Sequence, residues 1–387
     1  MKRLLYIAFN DCENGLYGVR AKILSQCRAF EKHGFVVDRI ERRAGETIIT
    51  AEDGSTSVIG NHRRCKNACF LRPLIDKQNQ MKDIRAFVRT RHYDACYIRY
   101  DFSDPGFTRL LADLRKVCGK TALEIPTFPY EDENRETFLS RSKLFVDRLF
   151  RGTLRRYVDF IVTFYGGHER IFGIPVLTVP NGFDFDSMDL VKMPLEGDVI
   201  RVIAVSSMRR WHGYERFIEG MHRYYAVGGS RAIVLHLVGR GRECARYRQL
   251  SEMYGLTDRV LFEGTMHGRN LDAVYERCAL GIDSLGRHRS GIEVLSSLKS
   301  REYGAKGIPI INGCRIDIID DDFEYLLRVP ADESPVDIEA VIDFHDRVYA
   351  GRDRLFVAQE IRAYIESRSR MEDTMSPVAR RLSEKFR

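Results

Sequence analysis

No stretch of the chain comes near the roughly 20 consecutive apolar residues of a membrane-spanning helix, so no such helix is expected. The opening MKRLLYIAF has a basic start, but its apolar run is far too short for a secretory leader and reads as a first strand. The nine cysteines are odd in number and lack paired spacing, which argues against a disulfide framework and suits a reducing, cytoplasmic setting. Cys65 and Cys69, with His62 nearby, are the only hint of metal-ligand spacing, and a fourth ligand is missing locally. There is no internal repeat and no low-complexity tract. Charge of one sign is also scarce: 62 lysines and arginines against 55 acids leave +7. That balance favours anionic partners such as nucleotides or phospholipid head groups. With basic residues spread out and no recognisable nucleic-acid module, nucleic-acid binding is not expected.

What is present is an alternating α/β pattern. The 387 residues, 44% apolar and 30% charged, suit two globular domains better than one. Apolar runs predict strands at Leu4–Phe9, Val36–Ile40, Ala95–Ile98, Ala122–Ile125, Phe160–Thr163 and Val176–Val179, with a helix from Tyr17 to His33 stopped by Gly34. A second series follows at Ile200–Val205, Ile233–Val238, Val260–Phe262, Leu280–Ile282 and Ile308–Ile311. Helices are predicted between these at Tyr214–Tyr225, Glu243–Tyr254 and Leu271–Arg277. The segment PNGFDFDSMDLVKMPLEGD, residues 180–198, is rich in Pro, Gly and Asp and reads as the connection between the two series. Two doubly wound domains facing across a cleft would line it with the C-terminal ends of their strands.

Several segments suit an anionic ligand there. SLKSREYGAKGIPII, residues 297–311, opens a helix with Ser and Lys and ends it at Gly307-Ile308-Pro309. First-turn N–H groups from Leu298 onward favour phosphate, Lys299 adds a mobile point charge, and Glu302 could accept hydrogen bonds from ribose hydroxyls. An amphipathic helix between strands is the plain alternative. SSMRRWHGYERF follows the strand at 200–205 and brings Arg209, Arg210 and His212 to its C-terminal end, where a diphosphate would need cations. LVGRGRE places Gly239 and Gly241 in a tight turn, and GTMHG offers backbone near Met266 to a base edge. NGLYG, residues 14–18, puts Gly15 in a turn on the opposite wall.

In their order these pieces resemble glycosyltransferase family 4, retaining enzymes of the GT-B fold, over nearly the whole chain. PNGFD resembles the family's hinge and VSSMRRWHG its basic donor-phosphate turn. HLVGRGRE, DRVLFEGTM and SLKSREYGAKGIPII are similar to its later landmarks. YIRYDFSDP and LEIPTFPYE resemble a subgroup that builds bacterial surface polysaccharides. The resemblance implies two Rossmann-like domains facing across a cleft. Residues 1–184 would bind acceptor, with a tail at about 370–387 packing back on them, and 185–369 would bind the nucleotide-sugar donor.

It implies Arg209 and His212 as the basic pair, with Arg210 a rival, and His212 standing where lysine is usual as a weaker, pH-dependent cation. Glu302 ends the family's Glu-x7-Glu motif; Val294 occupies the first acidic place, with Glu293 one residue away as the alternative acid. The acceptor-side group falls among Glu124, Pro126 and Thr127. Cations and helix-tip N–H groups would stabilise the departing diphosphate without a metal or other cofactor. Domain closure would limit hydrolysis.

Two acidic motifs weigh against metal binding more than for it: Asp184-Phe185-Asp186 falls in the hinge, and Asp320-Asp321-Asp322 reads as a solvated loop. Residues 141–158, RSKLFVDRLFRGTLRRYV, could form a basic amphipathic helix on an anionic membrane, or a surface helix packing its apolar side inward. The expected partners are thus a nucleotide sugar, a glycan or lipid-linked acceptor and the inner face of the cell membrane. A GT-B epimerase or hydrolase, or a non-catalytic nucleotide-sugar or polysaccharide binder, is the competing reading.

Overall fold

A computed structural model describes residues 1–11, 17–43, 45–62, 72–131, 137–195 and 197–384. It divides into two compact units, Met1–Gly182 with Met371–Arg387, and Phe183–Arg370.

The first unit runs β1 (Lys2–Asp11), α1 (Tyr17–Lys32), β2 (Phe35–Arg43), β3 (Glu46–Thr50), β4 (Thr56–Asn61), α2 (Arg72–Val88), β5 (Tyr93–Arg99), α3 (Pro105–Val117), β6 (Cys118–Ile125), α4 (Phe138–Phe150), β7 (Phe160–Thr163), β8 (Arg170–Ile171) and β9 (Ile174–Thr178). Its sheet has the order β4-β3-β2-β1-β5-β6-β7-β9-β8. The middle from β2 to β9 is parallel, and antiparallel pairs close both edges. Leu4–Phe9 of β1 is buried on both faces, as a parallel strand covered by helices on each side must be. The hairpin β3–β4 has no counterpart in the sequence reading. Its outer strand TSVIGN is mostly exposed and polar, so it lacks the apolar run that marked the others.

The second unit begins with β10 (Ile200–Val205), α5 (Glu215–Ala226), β11 (Ile233–Val238), α6 (Cys244–Met253), β12 (Val260–Gly264), α7 (Arg269–Arg277) and β13 (Leu280–Ile282). It continues with β14 (Val294–Leu295), α8 (Leu298–Lys306), β15 (Ile310–Asn312), β16 (Arg315–Ile316), β17 (Leu326–Arg328), α9 (Ile338–Tyr349) and α10 (Arg354–Ser369). Six parallel strands lie in the order β12-β11-β10-β13-β15-β17, and β14 pairs separately with β16.

The chain leaves β10 in one direction, to β11 and β12, then returns to β13 on the other side of β10. In an open parallel sheet that reversal leaves a crevice at the strands' C-terminal ends, where ligands bind.

After the second unit the chain rejoins the first as α11 (Met371–Ser383). Met371, Met375, Val378, Ala379 and Leu382 share a core with Ile23, Cys27 and Phe30 of α1. The His33 ring nitrogen Nε2 hydrogen-bonds the Glu372 carbonyl at 2.9 Å.

Candidate active site at the sheet reversal of the second unit

Three turns meet at the reversal because glycines let their backbones touch. Gly239, at φ 121°, would place a Cβ 1.9 Å from the Ser206 carbonyl, and a Cβ at Gly241 would lie 1.9 Å from that of Ser207. Gly213, at φ 67°, would bring one 2.7 Å from the Gly286 nitrogen. Side chains at these positions would drive apart the turns that follow β10, β11 and β13. Hydrogen bonds hold the join: Leu285 N–H donates to the His212 carbonyl at 2.7 Å, and Arg289 Nη1 donates to the Arg210 carbonyl at 2.7 Å.

The start of α8 points into the same place. Ser297 caps the helix by accepting the Ser300 N–H at 3.1 Å, while its hydroxyl donates to Asp283 Oδ2. Asp283 is fully buried at the end of β13. Burial alone would raise its pKa, yet Lys299 and the Ser297 hydroxyl hold the carboxyl below its ordinary range.

Lys299 Nζ lies 3.0 Å from Asp283 Oδ1 and donates to Ser284 Oγ at 3.2 Å. It is therefore not the mobile point charge the sequence suggested. Its ammonium is pinned, and burial lowers its basicity against the pull of Asp283. The sequence reading missed both Asp283 and Arg287. Arg287 is buried, stacks over Trp211 with 5.6 Å to the ring centroid, and acts electrostatically on His212, Asp283 and Lys299. It stands in GRHRSG, where no periodic pattern separates a site arginine from a solvated turn.

His212 differs from expectation. It is buried and stacked on Tyr214, ring centroids 5.5 Å apart. Its Nδ1 accepts the Arg209 N–H at 2.9 Å, so the neutral ring carries its proton on Nε2. Burial first, then Lys299, Arg287 and Arg209, push its protonation well below the usual histidine range. Its ring is thus held neutral, with Nδ1 accepting, and it is not the weak cation expected.

Arg209 is half-buried at the same turn, and Arg210 beside it is exposed. Glu302, one helical turn into α8, accepts the Tyr275 hydroxyl at 2.7 Å. Burial raises its pKa, opposed by that hydroxyl, Lys306 and Lys299. Met266 is half-buried beyond β12, where the Gly264 carbonyl accepts the Gly239 N–H at 2.7 Å. Leu298 is the first residue of α8. Glu293 is exposed, and its carbonyl accepts the Arg315 N–H at 3.0 Å. Gly15 lies outside the described residues, as do Cys65 and Cys69. His62 is bonded to Asp83 at 2.9 Å, and Asp186 pairs with Arg370 at 3.2 Å.

Of the acceptor-side candidates in the first unit, Pro126 and Thr127 are half-buried after β6. Glu124 is fully buried. Its carboxylate accepts from Tyr97 Oη at 2.7 Å and Gln26 Nε2 at 2.6 Å, pairs with Arg99, and has Lys22 Nζ at 3.8 Å. Against the cost of burial, Lys22 and Arg99 keep it ionised. Four partners from β5, α1 and their surroundings occupy this carboxylate, so its geometry suits holding strands and helix together rather than meeting a substrate hydroxyl. The signal was Lys22 and Gln26 four residues apart on α1, the i,i+4 spacing that puts both on one helix face.

No family model matches this sequence, and no curated protein does. Solved structures do match. Sucrose-phosphate synthase from Thermosynechococcus elongatus superposes with a TM-score of 0.68 at 16% identity, over 99% of each chain. Anabaena HepE in complex with UDP-glucose gives 0.60 at 12% identity, over 99% of this chain and 100% of the other. The lipopolysaccharide outer core galactosyltransferase WaaB, in its apo form, gives 0.56 at 14%, over 96% and 98%. These likenesses establish a GT-B fold with two Rossmann-like domains.

Proposed function

We propose that this chain is a retaining, metal-independent glycosyltransferase that moves a sugar from a nucleoside-diphosphate sugar to a hydroxyl of a glycan or lipid-linked acceptor in cell-surface polysaccharide synthesis. One observation carries the reading. At the sheet reversal of the second unit, Lys299 and Arg287 act on a single buried carboxylate, Asp283, at the N-terminus of α8, with Arg209 beside His212 in the turn after β10 and Glu302 one helical turn further into α8. The likeness to a protein solved with UDP-glucose supports a nucleotide sugar as donor.

Breaking the bond between sugar and diphosphate leaves positive charge on the sugar and negative charge on the departing phosphate. Groups that stabilise the departure must be in place beforehand, since reorganising them during reaction costs rate. Lys299 is fixed by Asp283 and Arg287 by burial and Trp211, so both charges are held in advance. The first-turn N–H groups of Leu298 and Lys299 add the positive end of the helix dipole. Neutral His212 offers Nε2–H as a hydrogen bond that does not depend on pH near neutrality. Glu302 has a second oxygen for ribose hydroxyls, and the exposed Arg210 serves the rim. Gly239 permits close backbone approach, and backbone at Met266 meets the base. The acceptor hydroxyl attacks on the face the leaving group quits; Thr127 is the remaining acceptor-side candidate, and Glu293 is the candidate to stand in for the acid missing at Val294.

The test is transfer from labelled UDP-, GDP- and CMP-sugars to a lipid-diphosphate acceptor, with and without a chelator, reading the anomeric configuration of the product. Transfer that survives chelation with the donor's configuration kept is expected. Hydrolysis or epimerisation alone, or a product of inverted configuration, contradicts the proposal.

A further inference from the structure

The helix α4 turns an unusual face outward. Its inward side is tied down: Leu144 is buried, and the fully buried Asp147 accepts from Tyr100 Oη, from Tyr130 Oη at 2.5 Å and from Ser103 N–H at 2.7 Å. Its start is fixed by a capping box between Thr137 and Ser140. Outward, Phe138, Phe145 and Leu149 are 83%, 66% and 62% exposed. They stand at i, i+7 and i+11, one stripe of the helix, and exposed Arg141 and Arg148 fall on the same stripe.

The short turn Arg151–Arg156 that follows adds exposed Arg155 and Arg156. Here a basin of about 510 Å³ is lined by Arg148, Arg151, Arg155 and Arg156 with Thr153 and Phe172. Glu131, a carboxylate beside it, is taken by Arg151 at 2.8 Å. A protein partner would suit a contiguous apolar patch. Large apolar side chains separated by arginines match a bilayer interface, where rings and leucines enter the acyl boundary and guanidinium groups stay level with phosphates.

We propose that α4 and the turn after it form a docking face for an anionic lipid surface, with Phe138, Phe145 and Leu149 inserting and Arg141, Arg148, Arg155 and Arg156 meeting lipid phosphates. The inference stands on the first unit alone and is independent of the transferase reading.

The experiment is co-sedimentation of the full chain with vesicles of phosphatidylcholine alone and with added phosphatidylglycerol, across a salt series. Binding is expected only with phosphatidylglycerol and weakens as salt rises. Phe145→Ser with Leu149→Ser reduces it by roughly tenfold or more. Arg148→Gln, Arg155→Gln and Arg156→Gln each cost about fivefold. These side chains are exposed, so circular dichroism and melting temperature stay those of the parent. Equal binding to phosphatidylcholine alone, variants that bind like the parent, or no vesicle binding overturns the proposal. So does self-association in sedimentation velocity that the serine variants abolish, which would assign the face to a second copy.

Discussion

At the scale of single residues, the site is governed by charges buried with their partners. Lys299 and Asp283 illustrate it: each would be costly alone, and together they fix an ammonium at the head of α8. Asp283→Ala leaves that ammonium without its carboxylate, and removing one partner of a buried pair costs about 3–5 kcal/mol. Chemical denaturation is expected to register a loss of this order, and an unchanged midpoint would mean that the pair is solvated. Glu302→Ala removes the proposed ribose ligand while its neighbour Tyr275 keeps its packing. Donor affinity is expected to fall by about tenfold to a hundredfold, the weight of one or two hydrogen bonds to a charged group, with the far-UV spectrum unchanged.

His212 makes a prediction of opposite sign to a salt-bridged histidine. Its folded pKa lies below the ordinary value of about 6.5, so on acidification the unfolded chain takes up a proton first. Folding stability therefore falls as pH drops through and below about 6.5. His236 and His345 are shifted in the same direction, so each adds its own share. Replacing His212 with Asn should flatten the acid-side loss in melting temperature by His212's share alone. An NMR titration showing the His212 ring protonating near 6.5 would contradict the buried, neutral assignment.

At the scale of elements, the site depends on turns packed backbone to backbone. Gly239→Ala meets two obstacles at once, a φ of 121° and a carbonyl 1.9 Å from the new Cβ. It is expected to lower the melting temperature and to weaken donor binding, because the turn after β11 must withdraw from that after β10. Binding and melting like the parent would show that the turn can shift freely. α8 is seated similarly: its C-terminal Gly307 would bring a Cβ 2.4 Å from Ala358 of α10, and buried Arg301 grips Asp317 with two contacts of 2.6 and 2.7 Å.

These elements were largely legible beforehand. β10 and β11 coincide with their apolar runs, and the helix caps sit where the Ser297 hydroxyl and the backbone freedom of Gly307 predict. The missing pieces were polar edges, such as β4, and short strands such as β14, β16 and β17. The site was legible as a set of turns but not as a set of contacts. The Asp283–Lys299 pair joins a strand end to a helix start, and Arg287 reaches Trp211 from another turn. Sequence spacing carries no information on such meetings. Likewise, the burial that neutralises His212 comes from elements distant in sequence, so only its position in the basic turn was readable.

At the scale of the whole molecule, the last helix belongs to the first unit although the second intervenes in the chain. Ending the chain before Met371 strips Met371, Met375, Val378 and Leu382 from the core they share with α1. At about 1.5–3 kcal/mol for each large apolar side chain, the loss is comparable to the whole stability of a typical domain. The truncated protein is expected to be insoluble or to lose its cooperative melt, whereas a soluble, cooperatively melting product would show that α11 is dispensable.

The central claim is that the sheet reversal in the second unit holds a nucleoside-diphosphate sugar. Calorimetric titration of UDP-, GDP- and CMP-sugars into the parent chain and into Arg287→Ala and Glu302→Ala tests it most directly. The account predicts saturable binding of at least one donor, weakened about tenfold or more in each variant while both stay folded. Binding of none of them, or variants that bind as tightly as the parent, would contradict it.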